Sequence, residues 1–285
     1  DRKYKKYISN YGQSYGEWAE PTEVHITGFQ DFACPHPEET TAYIVYMLQT
    51  MAEIAEVLGK ADDQKRFSEY AEKAKIGYGK LIECPKFSLD TDRQAKLVRP
   101  LYLGLLDEKQ TEFAKKRLIA ALEHYDWRLG TGFLSTPFIL YVLENIDVEY
   151  AYKLLENEQM PGWLFMPKMN ANTIWESWEG TQAQGGIASL DHYSKGAVLE
   201  WVFSEMCGIH VSGENEFTIA PKAGGHFTFA KCGYQSVYGT VKSGWRRENG
   251  KTTYTISVPA NTRAKVILPD GEKTLTAGEY EFTVD

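Results

Sequence analysis

Residues 38–59 read EETTAYIVYMLQTMAEIAEVLG, and their apolar side chains recur at intervals of three and four. This spacing puts one apolar stripe on the face of an α-helix that ends at Gly59. The stripe consists of Ala42, Val45, Leu48, Ala52 and Ala55. A second helix is predicted from Asp62 to about Ile82. Because the connection between the two long helices is short, they must lie antiparallel.

The helical pattern continues toward the C-terminus. Further helices are predicted over residues 93–106, 109–123, 137–145, 148–156 and 187–206. Thr136 before Pro137 is a good helix start, because a hydroxyl caps the first turn and proline needs no N–H there. Antiparallel helix pairs in series indicate an α/α toroid rather than a compact bundle, and a closed toroid of this kind has six pairs. The seven helices are fewer than six pairs require, so the barrel is expected to be incomplete and the chain mainly α.

The hydrophobic period changes to two after Gly208. Thr253, Thr255 and Ser257 alternate with Tyr254, Ile256 and Val258. Residues 248–251 and 269–272 have the composition of tight turns. A small antiparallel β-sandwich is therefore predicted over residues 209–285, after a helical domain over residues 1–208. Residues 1–37 lack a sustained period and are interrupted by Gly and Pro, which indicates a long loop region.

Composition excludes several classes of protein. The formal net charge is −8, the isoelectric point is near 5.4, and no Lys/Arg run is long enough to follow a phosphate backbone, so nucleic acid is not an expected partner. No apolar stretch reaches the ~20 residues of a membrane span. The four cysteines, which lack the spacing of a zinc site, are expected to be free thiols, and no metal or other cofactor is expected. A cytoplasmic location is favoured over a periplasmic or secreted one.

Three non-periodic segments combine acids with aromatic rings: Tyr15–Glu20, Trp163–Glu179 and Asp191–Tyr193. Loops at one end of a helical toroid converge on one pocket, so these segments are expected to share a site. Aromatic residues make up 13% of the chain, which suits sugar binding because the apolar face of a pyranose stacks on rings.

Glycosidic bond cleavage needs two carboxyl groups, one to protonate the leaving oxygen and one to activate water or attack the sugar. Glu176 is the best candidate for one of them, because Trp175 and Trp178 bracket it and partial desolvation tunes a carboxylate. A surface ion pair or a helix cap would also explain Glu176. His192 either binds a sugar hydroxyl or has a structural role, and for Glu17 hydrogen bonding to loop backbone N–H groups is favoured over catalysis.

Five motifs resemble those of the bacterial α-L-rhamnosidases, the inverting glycoside hydrolases of family seventy-eight. They occur in the family's order and are Tyr15-Gly16-Glu17-Trp18, Gly130-Thr131-Gly132-Phe133-Leu134-Ser135-Thr136-Pro137, Met160-Pro161-Gly162-Trp163-Leu164-Phe165, Thr173-Ile174-Trp175-Glu176-Ser177-Trp178 and Asp191-His192-Tyr193. Val258-Pro259-Ala260-Asn261-Thr262 also looks like a segment of the family's terminal β-domain.

The resemblance implies an (α/α)6 barrel and a role for each site residue. It places Glu176 at the general base, which activates water, and His192 at the sugar-binding histidine. It also implies that Trp18, Trp163, Trp175 and Trp178 line the pocket. The chain departs from the family at Glu17, where Asp is usual, and at Asp191, where Asn is usual. The family's Arg-Asp-Glu-Arg segment, which carries the general acid, would lie upstream of the first motif.

The resemblance thus implies hydrolysis of terminal α-L-rhamnosyl residues by an inverting mechanism that uses two carboxylates. The expected substrate is a rhamnose-containing glycoside or polysaccharide, and the expected partner is the upstream part of the same enzyme. An open barrel wall also predicts association with a second copy. The alternative is a non-catalytic carbohydrate-binding subunit that keeps the aromatic pocket without the acid, and a helical scaffold that binds proteins is a third interpretation.

Overall fold

The computed structural model describes residues 7–10, 12–21, 34–180 and 188–285. The chain divides into two compact units. The first contains residues 1–142 and 157–195, and the second contains residues 143–156 and 196–285. Among the described residues, no helix is both long and apolar enough to cross a membrane.

Two long helices, α1 (Pro37–Val57) and α2 (Ala61–Ile82), form the first hairpin. Gly59 adopts a φ of +66°, a left-handed conformation that glycine accommodates, and so ends the first helical segment. The Tyr78 hydroxyl, near the end of α2, donates a 2.6 Å hydrogen bond to Glu38 Oε1 at the start of α1. This contact between opposite ends confirms the predicted antiparallel pair.

A second pair follows, α3 (Gln94–Tyr102) and α4 (Glu108–His124). Asp107 and Gln110 form a reciprocal capping box at the start of α4. Helix α3 ends before the predicted Leu106, because Gly104 adopts a φ of +63°. The polypeptide thus turns four residues earlier than the hydrophobic pattern indicated.

The remaining helices are short: α5 (Ile139–Glu144), α6 (Val148–Leu155), α7 (Phe165–Lys168), α8 (Tyr193–Gly196) and α9 (Val198–Trp201), followed by a π-helix (Val202–Met206). The prediction that Thr136 caps a helix at Pro137 was wrong, because its hydroxyl pairs at 2.8 Å with that of Thr131. The single helix predicted over residues 187–206 is also wrong for its described part, which is broken into short pieces.

The β-strands lie in the second unit and form two four-stranded sheets. The strands are β1 (Ile209–Gly213), β2 (Glu216–Ile219), β3 (Phe229–Ser236), β4 (Gly239–Glu248), β5 (Lys251–Val258), β6 (Arg263–Leu268), β7 (Gly271–Leu275) and β8 (Gly278–Val284). The sheet orders are β1-β2-β6-β7 and β3-β4-β5-β8. Alternate residues of β5 and β6 are buried, as the period of two predicted.

Turns and one crossover explain the strand order. Asn249 and Gly250 both have positive φ and join β4 to β5 in a two-residue hairpin. The prediction of tight turns at residues 248–251 and 269–272 is thereby confirmed. One pair, β2 with β6, runs parallel within the otherwise antiparallel sandwich. Parallel neighbours need a crossover, and here β3, β4 and β5 provide it by entering the other sheet.

In the described part of the chain, the fold has the helix pairs of an incomplete α/α barrel followed in sequence by a β-sandwich, which confirms the predicted fold class. The boundary between domains 1–208 and 209–285 stays a prediction.

Candidate active site

Glu17 joins the first motif to the loop at residues 132–135 by hydrogen bonds. Its side chain is 1% exposed and accepts hydrogen bonds from Gly132 N at 3.0 Å, Ser135 N at 2.7 Å and Ser135 Oγ at 2.8 Å. The guanidinium of Arg99 bridges Glu17 to Glu38 inside the same unit. Glu17 therefore has the backbone-binding role that the sequence favoured, and its carboxylate oxygens are fully engaged.

The same junction places Trp18 beside Phe133. Phe133 N donates to Trp18 O at 2.8 Å, and a Cβ atom at Gly132 would lie only 2.3 Å from that oxygen. Only glycine allows the two loops to approach so closely. The half-buried Trp18 ring also meets Tyr15 edge to face, with ring centroids 5.6 Å apart.

Glu176 lies on a loop that pairs with the segment before α8. Glu176 N donates to Ser189 O at 2.9 Å, and Ser189 N donates to Glu176 Oε2 at 2.8 Å. Two residues earlier, Ile174 O accepts from His192 N at 2.8 Å. These bonds hold the Glu176 and His192 segments side by side. Glu176 is half-buried, so its carboxylate is held but remains accessible.

His192 packs between aromatic rings. Its imidazole stacks on Phe133 with centroids 4.7 Å apart and on Tyr193 at 5.3 Å. Ser194 N donates to His192 Nδ1 at 3.3 Å, so the neutral imidazole carries its proton on Nε2. Phe133 thus lies next to both the backbone of Trp18 and the ring of His192, and it brings the first motif close to the fifth.

The four predicted tryptophans fall into two groups. Trp18 and Trp175 are half-buried and keep accessible ring surface. Trp163 and Trp178 are only 4% and 1% exposed and meet edge to face at 6.3 Å. Trp178 belongs to the Glu176 loop, and Trp163 Nε1 donates to Lys195 O at 3.0 Å. The small exposed surface of both rings argues against the predicted direct contact with a sugar.

Lys195, a residue that sequence reasoning missed, is fully buried beneath this loop. Its Nζ donates to the main-chain oxygen of Glu176 at 2.7 Å and lies 4.1 Å from the ring centroid of Trp178. Burial lowers the pKa of Lys195 to about 7, against the raising effects of Glu179 and Glu176. Nothing in the helical spacing near residue 195 distinguishes this lysine from an exposed one.

Two other carboxylates of this chain, Glu20 and Asp31, are candidates for the general acid. Glu20 Oε1 accepts from Arg93 Nε at 2.8 Å, and Glu20 Oε2 accepts from Arg93 Nη2 at 2.6 Å. Burial raises the pKa of Glu20 to about 7 even though Arg93 opposes the shift. The bidentate pair occupies both carboxylate oxygens. Asp31 lies outside the described residues.

Among the described residues, no group of three or more His, Cys, Asp or Glu side chains is placed to hold a metal ion. The described site thus combines the accessible carboxylates of Glu176, Glu179 and Asp191 with the His192 imidazole and several aromatic rings.

Two family models match the chain. The bacterial alpha-L-rhamnosidase 6 hairpin glycosidase domain matches residues 2–206, and the bacterial alpha-L-rhamnosidase C-terminal domain matches residues 211–283.

Curated relatives with the name alpha-L-rhamnosidase are similar over most of the chain. The protein of Formosa agariphila is 31% identical over 91% of the chain, and that of Streptomyces avermitilis is 30% identical over 90% of it. The chain spans 30% and 24% of the length of these two relatives.

Solved structures give the same result. The Streptomyces avermitilis alpha-L-rhamnosidase complexed with L-rhamnose matches 97% of the chain with a TM-score of 0.82 and 28% identity, and the chain covers 29% of it. The alpha-L-rhamnosidase of Dictyoglumus thermophilum also matches 97% with a TM-score of 0.82, at 27% identity and 34% coverage of that chain. The chain therefore belongs to the bacterial alpha-L-rhamnosidase family of six-hairpin glycosidases.

Proposed function

We propose that the intact protein hydrolyses terminal α-L-rhamnosyl residues of a glycoside or polysaccharide, with Glu176 as the general base of an inverting mechanism. The observation that carries this proposal is the position of Glu176, which is accessible and lies next to the segment that bears His192. The Streptomyces avermitilis relative was crystallised with L-rhamnose, which supports rhamnose as the sugar.

In this mechanism, Glu176 accepts a proton from a water molecule while the water oxygen attacks the anomeric carbon. A second carboxyl group, outside this chain, protonates the departing oxygen. The two carboxyl groups of an inverting enzyme lie roughly 6.5–9.5 Å apart, which leaves room for the water.

Other residues of the site would bind the sugar or support the Glu176 loop. In the neutral form of His192 the ring proton is on Nε2, since Nδ1 accepts from Ser194 N. Nε2–H would then donate to a sugar hydroxyl. Trp18 and Trp175 offer partly exposed rings for the apolar sugar face. Trp163 and Trp178 support the Glu176 loop from within the fold.

The test is Glu176→Gln in the intact protein, assayed on an aryl α-L-rhamnoside. The amide keeps the shape of the side chain but cannot accept the proton, so turnover should fall by ~10²–10⁴ while rhamnose binding persists. Azide needs no deprotonation and should restore part of the rate by forming a rhamnosyl azide of inverted configuration.

The control is Glu179→Gln, which changes a neighbouring carboxylate on the same loop. Azide should not change the rate of this variant. Near-normal turnover of Glu176→Gln, or an azide product of retained configuration, would show that Glu176 is not the base. Rhamnose binding without hydrolysis by the wild-type protein would instead favour the carbohydrate-binding alternative.

A further inference from the structure

The side-chain amine of Lys195 is buried, and none of the described residues forms a salt bridge with it. The side chain is 0% exposed, and its Nζ hydrogen bond within the described residues goes to the neutral main-chain oxygen of Glu176. Burying a lysine without a carboxylate partner costs free energy. A costly group in the wall of a candidate active site points to a function beyond packing.

The surroundings fix the position of this amine. Its Nζ lies 4.1 Å from the ring centroid of Trp178 and 5.8 Å from that of Phe133, so one buried ring and one site ring flank it. The main chain of Lys195 is fixed as well, since Trp163 Nε1 donates to Lys195 O at 3.0 Å. The two buried tryptophans therefore act as a cradle for Lys195.

The titratable groups near this amine all belong to the site. Glu179 and Glu176 act on Lys195 electrostatically from the loop above it, and His192 stacks on the same Phe133 ring. The ammonium thus lies where its hydrogen bond and its charge both act on the Glu176 loop.

We propose that Lys195 is a positioning residue for the general base: its Nζ holds the main-chain oxygen of Glu176 and thereby fixes the direction in which the Glu176 carboxylate points. The inference rests on the proposed function. Misplacement of a reacting group by about 1 Å costs on the order of 10²-fold in rate, so such a contact is sufficient to control turnover.

The test is Lys195→Met in the intact protein, because methionine keeps an unbranched side chain but has neither charge nor donor. We expect kcat on an aryl α-L-rhamnoside to fall by about 10- to 100-fold with KM within about 2-fold. The melting temperature should stay the same or rise, which a purely structural lysine would not allow. Lys195→Arg, which keeps a charge and N–H donors, should recover part of the lost kcat.

A double-mutant comparison shows whether Lys195 acts through Glu176. In a Glu176→Gln background, Lys195→Met should lower the residual rate by less than about 2-fold, since residues that act as a unit are not additive. The matched control is Lys96→Met, because Lys96 Nζ also donates to a main-chain oxygen at 2.7 Å, that of Lys86, away from the site. Its kcat should equal that of the wild type.

Each failure has its own signature. Normal kcat in Lys195→Met, or a loss that adds fully to that of Glu176→Gln, overturns the positioning role and leaves the general base in place. Should Lys195→Met fail to fold, the kcat of Lys195→Arg is decisive. Measurable kcat in the Arg variant supports the positioning role, and a folded but inactive Arg variant overturns it. Normal turnover of Glu176→Gln, or an inactive wild-type protein, overturns the proposed function and this inference together.

Discussion

A buried guanidinium flanked by carboxylates determines how the first motif is held. Arg99 is fully buried and bridges Glu17 and Glu38, and Glu17 in turn binds the backbone of the loop that carries Phe133. Removing one partner of a buried pair leaves the other charge uncompensated, which typically costs about 3–5 kcal/mol. The fold of the site loops therefore depends on a charge that never meets solvent.

We expect Glu17→Gln to lower the free energy of unfolding of the helical unit by about 3 kcal/mol, measured by urea denaturation. The matched control is Glu216→Gln, which breaks a pair with Arg263 whose side chains are 41% and 64% exposed. Exposed pairs are worth only about 0–1 kcal/mol, so that variant should stay within this range. Equal effects of the two substitutions would contradict a structural role for Glu17.

Lys195 provides a prediction about stability and pH. Its pKa is lowered from 10.5 to about 7, so between these values the unfolded chain binds more protons than the folded chain, and stability rises with pH across that window. Lys195→Met removes this dependence. The variant should exceed the wild type in melting temperature most clearly at pH 6, and the difference should shrink as pH rises from 7 toward 10. A difference independent of pH would show that the lysine is not desolvated.

Sequence analysis identified some of these residues and missed others for a physical reason. Glu176 and His192 stand in motifs whose acids and rings are visible in the chain itself, and the structure places their segments side by side. Lys195 lies two residues after Tyr193, the last residue of the fifth motif, and looks like an ordinary helix lysine. Its burial arises from Trp163 and Trp178, which are distant in sequence, so no local pattern reveals it.

At the level of elements, the site depends on a close approach of two loops at Gly132. We expect Gly132→Ala to raise KM for an aryl α-L-rhamnoside and to lower the melting temperature, because the added Cβ would lie 2.3 Å from Trp18 O and must separate the loops. Calorimetry and initial rates measure both effects in the same variant.

The control is Gly79→Ala within α2, where an added Cβ meets no atom within 4 Å. Alanine is favoured over glycine in a helix interior by up to about 1 kcal/mol, so this variant should be equally or more stable. Should Gly132→Ala behave like Gly79→Ala, the loop junction does not position the site.

Long elements were easier to predict than short ones. Helices α1 and α2 carry enough apolar repeats to fix their faces, and their ends differ from prediction by only a residue or two. The segment 193–206, which was also predicted to be helical, divides into α8, α9 and a π-helix. The parallel pairing of β2 with β6 depends on which sheet each strand joins, a long-range choice that alternation of side chains does not encode.

For the whole molecule, the proposed inverting mechanism requires a second carboxyl group besides that of Glu176. In the described site Glu176 is accessible, as are Glu179 on its loop and Asp191 beside His192, whereas Glu20 is paired with Arg93 and Glu17 with Arg99. An inverting glycosidase needs two carboxyl groups. The relatives are three to four times as long as the span this chain covers, which leaves ample sequence for the second carboxyl group.

We therefore expect the 285-residue chain by itself to hydrolyse an aryl α-L-rhamnoside with a kcat/KM at least ~100-fold below that of the intact protein, because a general acid contributes typically 10²–10⁴ in rate. Substrates with good leaving groups need less protonation, so the difference in kcat/KM between the chain and the intact protein should be smaller for them. A chain that had failed to fold would show no such dependence on the leaving group. Light scattering on the same sample tests whether an open barrel wall associates with a second copy. Full activity from the chain alone would mean that one of its own carboxylates is the acid. Because Arg93 binds both oxygens of Glu20, Asp31→Asn would then be the first variant to test.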